Sequence, residues 1–335
     1  MGKIYAILIL SFVFFLNSKG QSSGDFRSKT GGSGVWSDYN AWERYNGTSW
    51  DAAAKGQVPT TTTAVEIKVG DFMIINTISL FSGNLIINGS LTYHATINSD
   101  LSVCGNLIVG PSGNFTSPSS GVLTSHILYI GGKSFTSTIG GNLTVEGVFN
   151  MNVFPTSGVA VSFVGTPNNS ISGSGTINFY TLTVNKGTGN SNSVLEVLNP
   201  TIITIPTATS GLNRLIISNG TFKLSSALTM KPFFGSFTLC ESSGKLWLNN
   251  SEAIIQSAGA GTVNPAGGTL NLSGKLQIDA GTFSFGAGNS IFNCNGDIVL
   301  GGEKAVLNVY GNLSLIDSSK FIMTSGNVNI YPLIE

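Results

Sequence analysis

Apolar and polar residues alternate along most of the chain. In the stretch GNLIINGSLTY (83–93), Leu85 and Ile87 precede an Asn-Gly pair, and Leu91 and Tyr93 follow it. Alternation over a few residues is typical of strands that are buried on one face. The pattern therefore predicts two short strands with these four side chains turned inward and with Gly89 turning the chain between them. Close variants of the stretch recur at 105–117, 141–151, 268–278 and 311–321.

The spacing of the strands predicts how they stack. Leu85 and Leu107 stand 22 residues apart, and Leu107 and Leu128 stand 21 apart. A period of about 20 to 25 residues is typical of one coil of a parallel β-solenoid, whose coils bury a continuous core only by stacking. We therefore predict an all-β fold with a right-handed parallel β-helix over residues 64–335.

Two alternatives remain open from the pattern alone, another kind of β-solenoid and a β-sandwich. The Asn-Gly pairs at 88–89 and 219–220 would suit the two-residue hairpins of a sandwich. Against a sandwich, the same residue types stand on both sides of each corner, and a single sandwich rarely continues over so long a stretch. In a β-helix, Asn84, Asn106 and Asn142 would occupy equivalent corners and hydrogen-bond from coil to coil.

Residues 1–20 have the features of a secretory signal. A basic residue precedes an apolar run from Ile4 to Leu16, and small residues follow it. The run is shorter than the roughly 20 residues that span a bilayer. We therefore expect cleavage near Gly20–Gln21, no transmembrane segment, and a secreted or cell-surface protein.

The head of the mature chain, residues 21–63, is rich in aromatic residues. Its rings include Trp36, Tyr39, Trp42, Tyr45 and Trp50. We favour the interpretation that they form an N-terminal cap, since the open end of a β-helix exposes its core and its strand edges. Alternatively, exposed rings would stack on sugars as a carbohydrate-binding module. The only candidate for a short helix is SWDAAAK (49–55).

Four short motifs follow one another in this head. They are Phe26-Arg27-Ser28, Gly-Val-Trp-Ser around Trp36, Trp42-Glu43, and Tyr45-Asn46-Gly47 followed by Trp50. Together they resemble the opening of large surface proteins that diderm bacteria export by the type IX route. The resemblance implies an adhesin-like or polymer-associated β-helix protein that ends in a sorting domain. The chain departs from this pattern because it ends in GNVNIYPLIE, which has the pattern of a further coil, so we expect a β-helix that is truncated at the C-terminus.

Charge and composition argue against several functions. Only 10% of residues are charged, and without residues 1–20 the chain has 14 basic and 16 acidic residues. The absence of a basic stripe argues against a nucleic-acid partner. The acidic residues are dispersed without an Asp-Asp or Asp-x-Asp pair, so we predict no catalytic residues, no metal ligands and no cofactor. The nearest to a cluster are Asp279, Asp297 and Glu303, about one coil apart.

The three cysteines, Cys104, Cys240 and Cys294, all stand in strand-like stretches. We interpret them as buried free thiols, which behave as small apolar side chains. A disulfide between one pair on neighbouring coils is the alternative, and the sequence does not choose between the two.

These observations predict a secreted structural or adhesive surface protein, whose rigid β-helix binds polysaccharide or another cell-surface polymer. One alternative is a β-helix lyase or hydrolase that acts on polysaccharide, although the dispersed acids favour a protein without enzymatic activity. The other is a carbohydrate-binding module centred on Trp36, Tyr39, Trp42, Tyr45 and Trp50. Convergent acids would distinguish the enzyme, and exposed head rings would distinguish the module.

Overall fold

The computed structural model describes residues 21–120, 125–134, 138, 140–154, 158–188, 192–198, 203–205, 215–233, 236–257, 269–316 and 319–331. These residues form an all-β protein in which 29 strands belong to one hydrogen-bonded sheet. Helical structure within the described residues is limited to a 3-10 turn at Tyr39–Ala41. The predicted signal, residues 1–20, lies outside the described residues.

The strands are short up to the middle of the chain and longer after it. The head contains β1 (Phe26–Ser28), β2 (Ser33–Val35), β3 (Trp42–Tyr45) and β4 (Trp50–Ala52). The next seventeen are β5 (Val65–Ile67), β6 (Phe72–Ile75), β7 (Leu80–Ser82), β8 (Leu85–Ile87), β9 (Ser90–Tyr93), β10 (Ser99–Val103), β11 (Leu107–Val109), β12 (Asn114–Thr116), β13 (His126–Ile130), β14 (Leu143–Val145), β15 (Val148–Asn150), β16 (Val159–Phe163), β17 (Asn169–Ser172), β18 (Thr176–Asn178), β19 (Thr181–Asn185), β20 (Val194–Val197) and β21 (Ile203–Ile205). The last eight are β22 (Leu215–Leu224), β23 (Leu228–Phe233), β24 (Ser236–Ser257), β25 (Thr269–Leu272), β26 (Lys275–Cys294), β27 (Asp297–Leu315), β28 (Lys320–Met323) and β29 (Asn327–Tyr331).

Parallel pairing arranges these strands in three columns. From β5 to β19, each strand pairs in parallel with the strand three places further along the chain. The first column therefore starts with β5 and β8, the second with β6 and β9, and the third with β7 and β10. The long strands β22, β24, β26 and β27 continue these columns and pass through more than one of them. The Asn-Gly pairs at 88–89 and 219–220 consequently do not form hairpins.

The head strands cover the start of two columns. β1 pairs in parallel with β5, and β2 pairs in parallel with β6. β3 pairs antiparallel with both β1 and β4. The predicted helix at 49–55 is therefore wrong, because Trp50–Ala52 forms β4 of a hairpin. The side chain of Asn46 fixes the turn before it by accepting hydrogen bonds from the backbone of Thr48 and Ser49 at 2.8 and 2.9 Å.

The register agrees with one pairing that the spacing suggested and corrects the other. Leu107 pairs with Leu85, as the 22-residue spacing suggests. Its partner on the other side is Leu143 and not Leu128, which pairs with Leu101 in the third column. The strands that contain Leu128 and Leu143 have similar sequences, but longer connections around β13 lengthen this repeat to 36 residues. The hydrogen bond from Asn142 N to the Asn106 side chain spans the same separation.

The core confirms the predicted inward positions. Leu85, Ile87, Leu91 and Tyr93 are all buried, and they belong to one apolar cluster that runs from Phe26 to Val309. Its members come from all three columns, so the apolar side of every column faces the same interior. The three cysteines are buried and free, which confirms their interpretation as apolar side chains in place of a disulfide.

Glycine and asparagine fix the corners between columns. Gly89, Gly113 and Gly147 lie at successive corners between the first and second columns, and a methyl group on Gly147 would collide with the carbonyl oxygen of Gly113. Only glycine allows this approach of two backbones. At the preceding corner, Asn84 Oδ1 accepts from Asn106 N at 2.8 Å and Asn106 Oδ1 accepts from Asn142 N at 3.0 Å. The asparagines thus connect equivalent corners, but through backbone N–H donors and not through a ladder of side-chain amides.

Candidate functional site

Two of the five aromatic residues predicted to bind carbohydrate lie in the core. Trp36 and Trp42 are fully buried, with ring centroids 5.1 Å apart in an edge-to-face contact. Trp42 Nε1 donates a hydrogen bond to the carbonyl oxygen of Trp36 at 2.8 Å, and Phe26 packs edge-on against Trp42. A ring without an exposed face cannot stack on a sugar. The structure therefore does not offer Trp36 or Trp42 to a ligand.

The other three head rings do not form a common platform. Tyr39 is half-buried and packs against the core. Tyr45 and Trp50 lie opposite each other on β3 and β4, with centroids 5.2 Å apart and planes inclined by 49°. The guanidinium of Arg27 lies 4.5 Å from the centre of the Trp50 ring and donates to Glu43 at 2.6 Å. Trp50 therefore takes part in a cation–π contact within the head.

The fourth tryptophan lies on the outer surface of the first column. Leu246 and Leu248 are fully buried, and the alternation of the strand turns Trp247 to the opposite side, where its ring is half-exposed. In the ladder, Trp247 lies between Lys223 of β22 and Gln277 of β26. The row continues after Gln277 with Val299, so Trp247 is the aromatic member of a row of mixed polarity.

Hydrogen bonds hold the Trp247 ring in one orientation. Trp247 Nε1 donates to Asp279 Oδ2 at 2.7 Å. Gln277 Nε2 donates to both oxygens of the same carboxylate, at 3.0 and 2.9 Å. Hydrogen bonds to a carboxylate are stronger than those between neutral groups. The indole is therefore fixed in place without a ligand.

Lysine side chains surround this ring. The ammonium groups of Lys223 and Lys245 each lie 4.8 Å from its centroid, which is within the range of a cation–π contact. Lys223 also forms a salt bridge of 2.9 Å with Glu196. Lys245 and Lys275 are direct neighbours in the ladder. Among the described residues, neither of these two forms a salt bridge. We call the patch formed by Lys223, Lys245, Trp247, Lys275, Gln277 and Asp279 the Trp247 face.

The electrostatics of the Trp247 face concentrate positive charge on one side. Burial and the neighbouring charge of Lys275 lower the pKa of Lys245, against an opposing effect of Asp279. Burial opposes the ionisation of Glu196, but hydrogen bonds from Lys223 and Ser225 outweigh it and lower the pKa of that carboxyl. Glu196 therefore remains ionised and offsets Lys223, whereas Lys245 and Lys275 repel each other.

The sequence does indicate an outward-facing Trp247, although the aromatic motifs of the head are more conspicuous. Three of the four tryptophans lie in the head, and the predicted carbohydrate-binding residues were therefore all in the head. The stretch KLWLNN (245–250) alternates with leucine at 246 and 248, which places residue 247 on the outside. The lysines were not visible as neighbours, because Lys223, Lys245 and Lys275 come together only through the register of β22, β24 and β26.

The acidic residues that were nearest to a cluster do not converge. Asp297 is the ladder neighbour of Lys275, whereas Asp279 lies at the other end of the same run, beyond Ile278. Asp279 is engaged by Trp247 and Gln277, and Glu303 is exposed. The described residues contain no group of three or more His, Cys, Asp or Glu that could hold a metal ion.

Two ionisable groups are enclosed in the core and do not reach the surface. Ser99 Oγ lies 3.0 Å from His126 Nδ1, which has the geometry of a nucleophile and a base, but the two residues are only 1% and 2% exposed. Lys186 is fully buried and donates to the carbonyl oxygen of Val164 at 3.1 Å and to Asn169 Oδ1. Both groups serve the interior of the fold.

Comparison of the chain with protein-family models, with curated proteins and with solved structures gives no match. Within the part of the chain that the structure describes, no helix is long and apolar enough to cross a membrane.

Proposed function

We propose that the protein is a secreted structural or adhesive surface protein, and that a right-handed parallel β-helix presents its flat outer faces to polysaccharide or another cell-surface polymer. Secretion is inferred from residues 1–20 and surface location from the resemblance of the head. The rigid β-helix holds its outer side chains in a fixed arrangement. An extended polymer binds to them at several weak contacts whose combined strength is high.

The β-helix is supported by the pairing of the strands. From β5 to β19, each strand pairs in parallel with the one three places on, and the apolar sides of the three columns share one interior. A chain that visits three columns in order and returns to the first describes successive coils. Because parallel strands lie about 4.8 Å apart, each outer row of side chains then repeats along a straight line at that spacing.

The single observation that carries polymer binding is the orientation of Trp247. Its ring is half-exposed on the outside of a rigid sheet and is held there by the hydrogen bond to Asp279. Preorganised, partly exposed aromatic rings bind the apolar faces of sugars at little entropic cost. The same observation favours an outer face of the first column over the head as the binding surface.

The two alternative functions have weaker support. A polysaccharide lyase or hydrolase would require carboxylates that converge on a groove, and Asp279 and Asp297 lie at opposite ends of their run. A carbohydrate-binding module in the head would have to use Tyr45 and Trp50, since Trp36 and Trp42 are buried. This pair is the natural comparison for Trp247.

Polymer binding is tested by sedimentation of the purified protein with insoluble polysaccharides such as cellulose, chitin and cross-linked pectin. We expect Trp247→Ala to weaken binding by at least about fivefold, because the stacking surface is lost while Leu246 and Leu248 still fill the core. The matched control is Trp50→Ala, which removes the half-exposed indole of the head and should leave binding unchanged.

Two results would contradict this proposal. If the wild-type protein sediments with none of these polymers, it is not a polysaccharide-binding protein. If Trp50→Ala abolishes binding while Trp247→Ala does not, the head is the binding module and the outer face is not. Circular dichroism of both variants checks that the β-structure is intact.

A further inference from the structure

We propose that the Trp247 face binds an acidic polysaccharide, with a sugar ring stacked on the indole and its carboxylates paired with Lys245 and Lys275. This inference rests on the proposed function and names the ligand class of the same surface. It follows from three features of the patch, which are the position of the ammonium groups, the absence of ion pairs at two of them, and the engagement of the nearby acids.

Two ammonium groups lie next to the indole. Lys223 precedes Trp247 in the ladder, Lys245 lies two residues before it on the same strand, and both ammonium groups are 4.8 Å from the ring centroid. Lys275 follows Lys245 on the next strand, at the interstrand spacing of about 4.8 Å. A polymer that runs across these strands therefore meets the ring and successive cations together.

Two of these cations are available to an anion. Lys223 is already paired with Glu196 at 2.9 Å. Lys245 and Lys275 face each other as like charges, and within the described residues no salt bridge joins either of them to an acid. A carboxylate placed between two such lysines relieves their repulsion and forms charge-assisted hydrogen bonds with both.

The acidic residues near the patch have other partners or lie at its edge. Both oxygens of Asp279 accept from Gln277, and one also accepts from Trp247. Glu196 accepts from Lys223 and from Ser225. Asp297 lies beside Lys275 on the side away from Lys245, so it limits the patch at its C-terminal edge. Lys245 and Lys275 form no salt bridge within the described residues and lie beside the half-exposed indole, which suits a carboxylated sugar better than a neutral one.

The test compares two polymers with the same backbone, polygalacturonate and its fully methyl-esterified form. We expect the wild-type protein to bind the acid at least about tenfold more tightly than the ester, and we expect added salt to reduce this preference. Exchange of both lysines, Lys245→Gln with Lys275→Gln, should remove the preference for the acid and leave binding of the ester. The control, Lys29→Gln with Lys55→Gln, removes two exposed charges from the head and should change neither affinity.

Equal affinity of the wild-type protein for acid and ester would overturn the inference. A preference for the acid that survives in the Lys245→Gln, Lys275→Gln variant, or that is lost equally in the control, would overturn it as well. These results differ from failure of the proposed function. Binding of both polymers through Trp247 without preference leaves polymer binding in place, whereas binding of neither polymer and of no insoluble polysaccharide removes both proposals.

Discussion

Single buried polar residues make the core of this protein sensitive to pH. His126 is 2% exposed and contacts Ser99 and the ring of Tyr93, whose centroid lies 5.3 Å away. Burial, and secondarily the charge on His94, lowers the pKa of His126 to about 4. Lys186 is an analogous case, since burial lowers its pKa to about 8. In both residues the folded protein favours the neutral form more than the unfolded chain does.

The His126 shift predicts a loss of stability in weak acid. An unfolded histidine has a pKa near 6.5, so between about pH 6.5 and pH 4 the unfolded chain binds a proton that the folded protein does not. The contribution of His126 to the free energy of unfolding is therefore fully present above pH 6.5. It is lost as the pH falls through 4, and the total loss is about 3 kcal/mol. Urea unfolding across this range measures it.

The matched variant is His126→Gln, which keeps a polar side chain and removes the titration. Its free energy of unfolding should fall less than that of the wild type between pH 6.5 and pH 4, because the contribution of His126 is then absent. If the free energies of unfolding of the variant and the wild type fall in parallel over this pH range, His126 does not control the loss of stability in acid.

Corners between strands determine the register of the whole sheet. Gly113 and Gly147 follow one another at the corner between the first and second columns, and the hydrogen bonds of Asn84 and Asn106 connect the corner before it. A glycine at such a corner is required by the approach of the next backbone. The recurrent GNL and NG pairs of the sequence therefore have a direct structural cause.

Substitution at a stacked corner should be far more costly than substitution at an open one. We expect Gly147→Ala to lower the free energy of unfolding by about 2 kcal/mol or more, because its methyl group meets the carbonyl oxygens of Gly113 and Gly110, which belong to fixed backbone. The control is Gly32→Ala, where the nearest atom is Lys29 O at 3.3 Å and a small shift relieves the contact. Similar urea midpoints for the two variants would contradict the role of the glycine corner.

The sequence predicted correctly which residues of a strand are buried. It did not predict pairings that depend on the length of the connections between strands. Alternation placed Leu85, Ile87, Leu91 and Tyr93 correctly, because a strand of period two has only two faces. Spacing failed at Leu128, because two different columns carry similar strands and an inserted connection lengthened the repeat. The hairpin at Trp50 was missed because three alanines suggested a helix, whereas pairing with Tyr45 decided for a strand.

At the scale of the whole molecule, the candidate site is a consequence of stacking. No local motif contains Lys223, Trp247 and Gln277, which are consecutive members of one ladder row. The head is the opposite case, since two rings of a dense local motif, Trp36 and Trp42, lie in the core. A sheet built from similar, weakly charged repeats can thus bring together lysines and an indole that are far apart in the chain.

The most direct test of this account is hydroxyl-radical footprinting of the protein with and without the polysaccharide that it sediments with most strongly. Trp247 and Trp50 are the two half-exposed indoles with described contacts, so their oxidation rates report the two competing surfaces in one experiment. We expect polymer to lower the oxidation rate of Trp247 at least severalfold and to leave that of Trp50 unchanged. Protection of Trp50 with unchanged oxidation of Trp247 would contradict it.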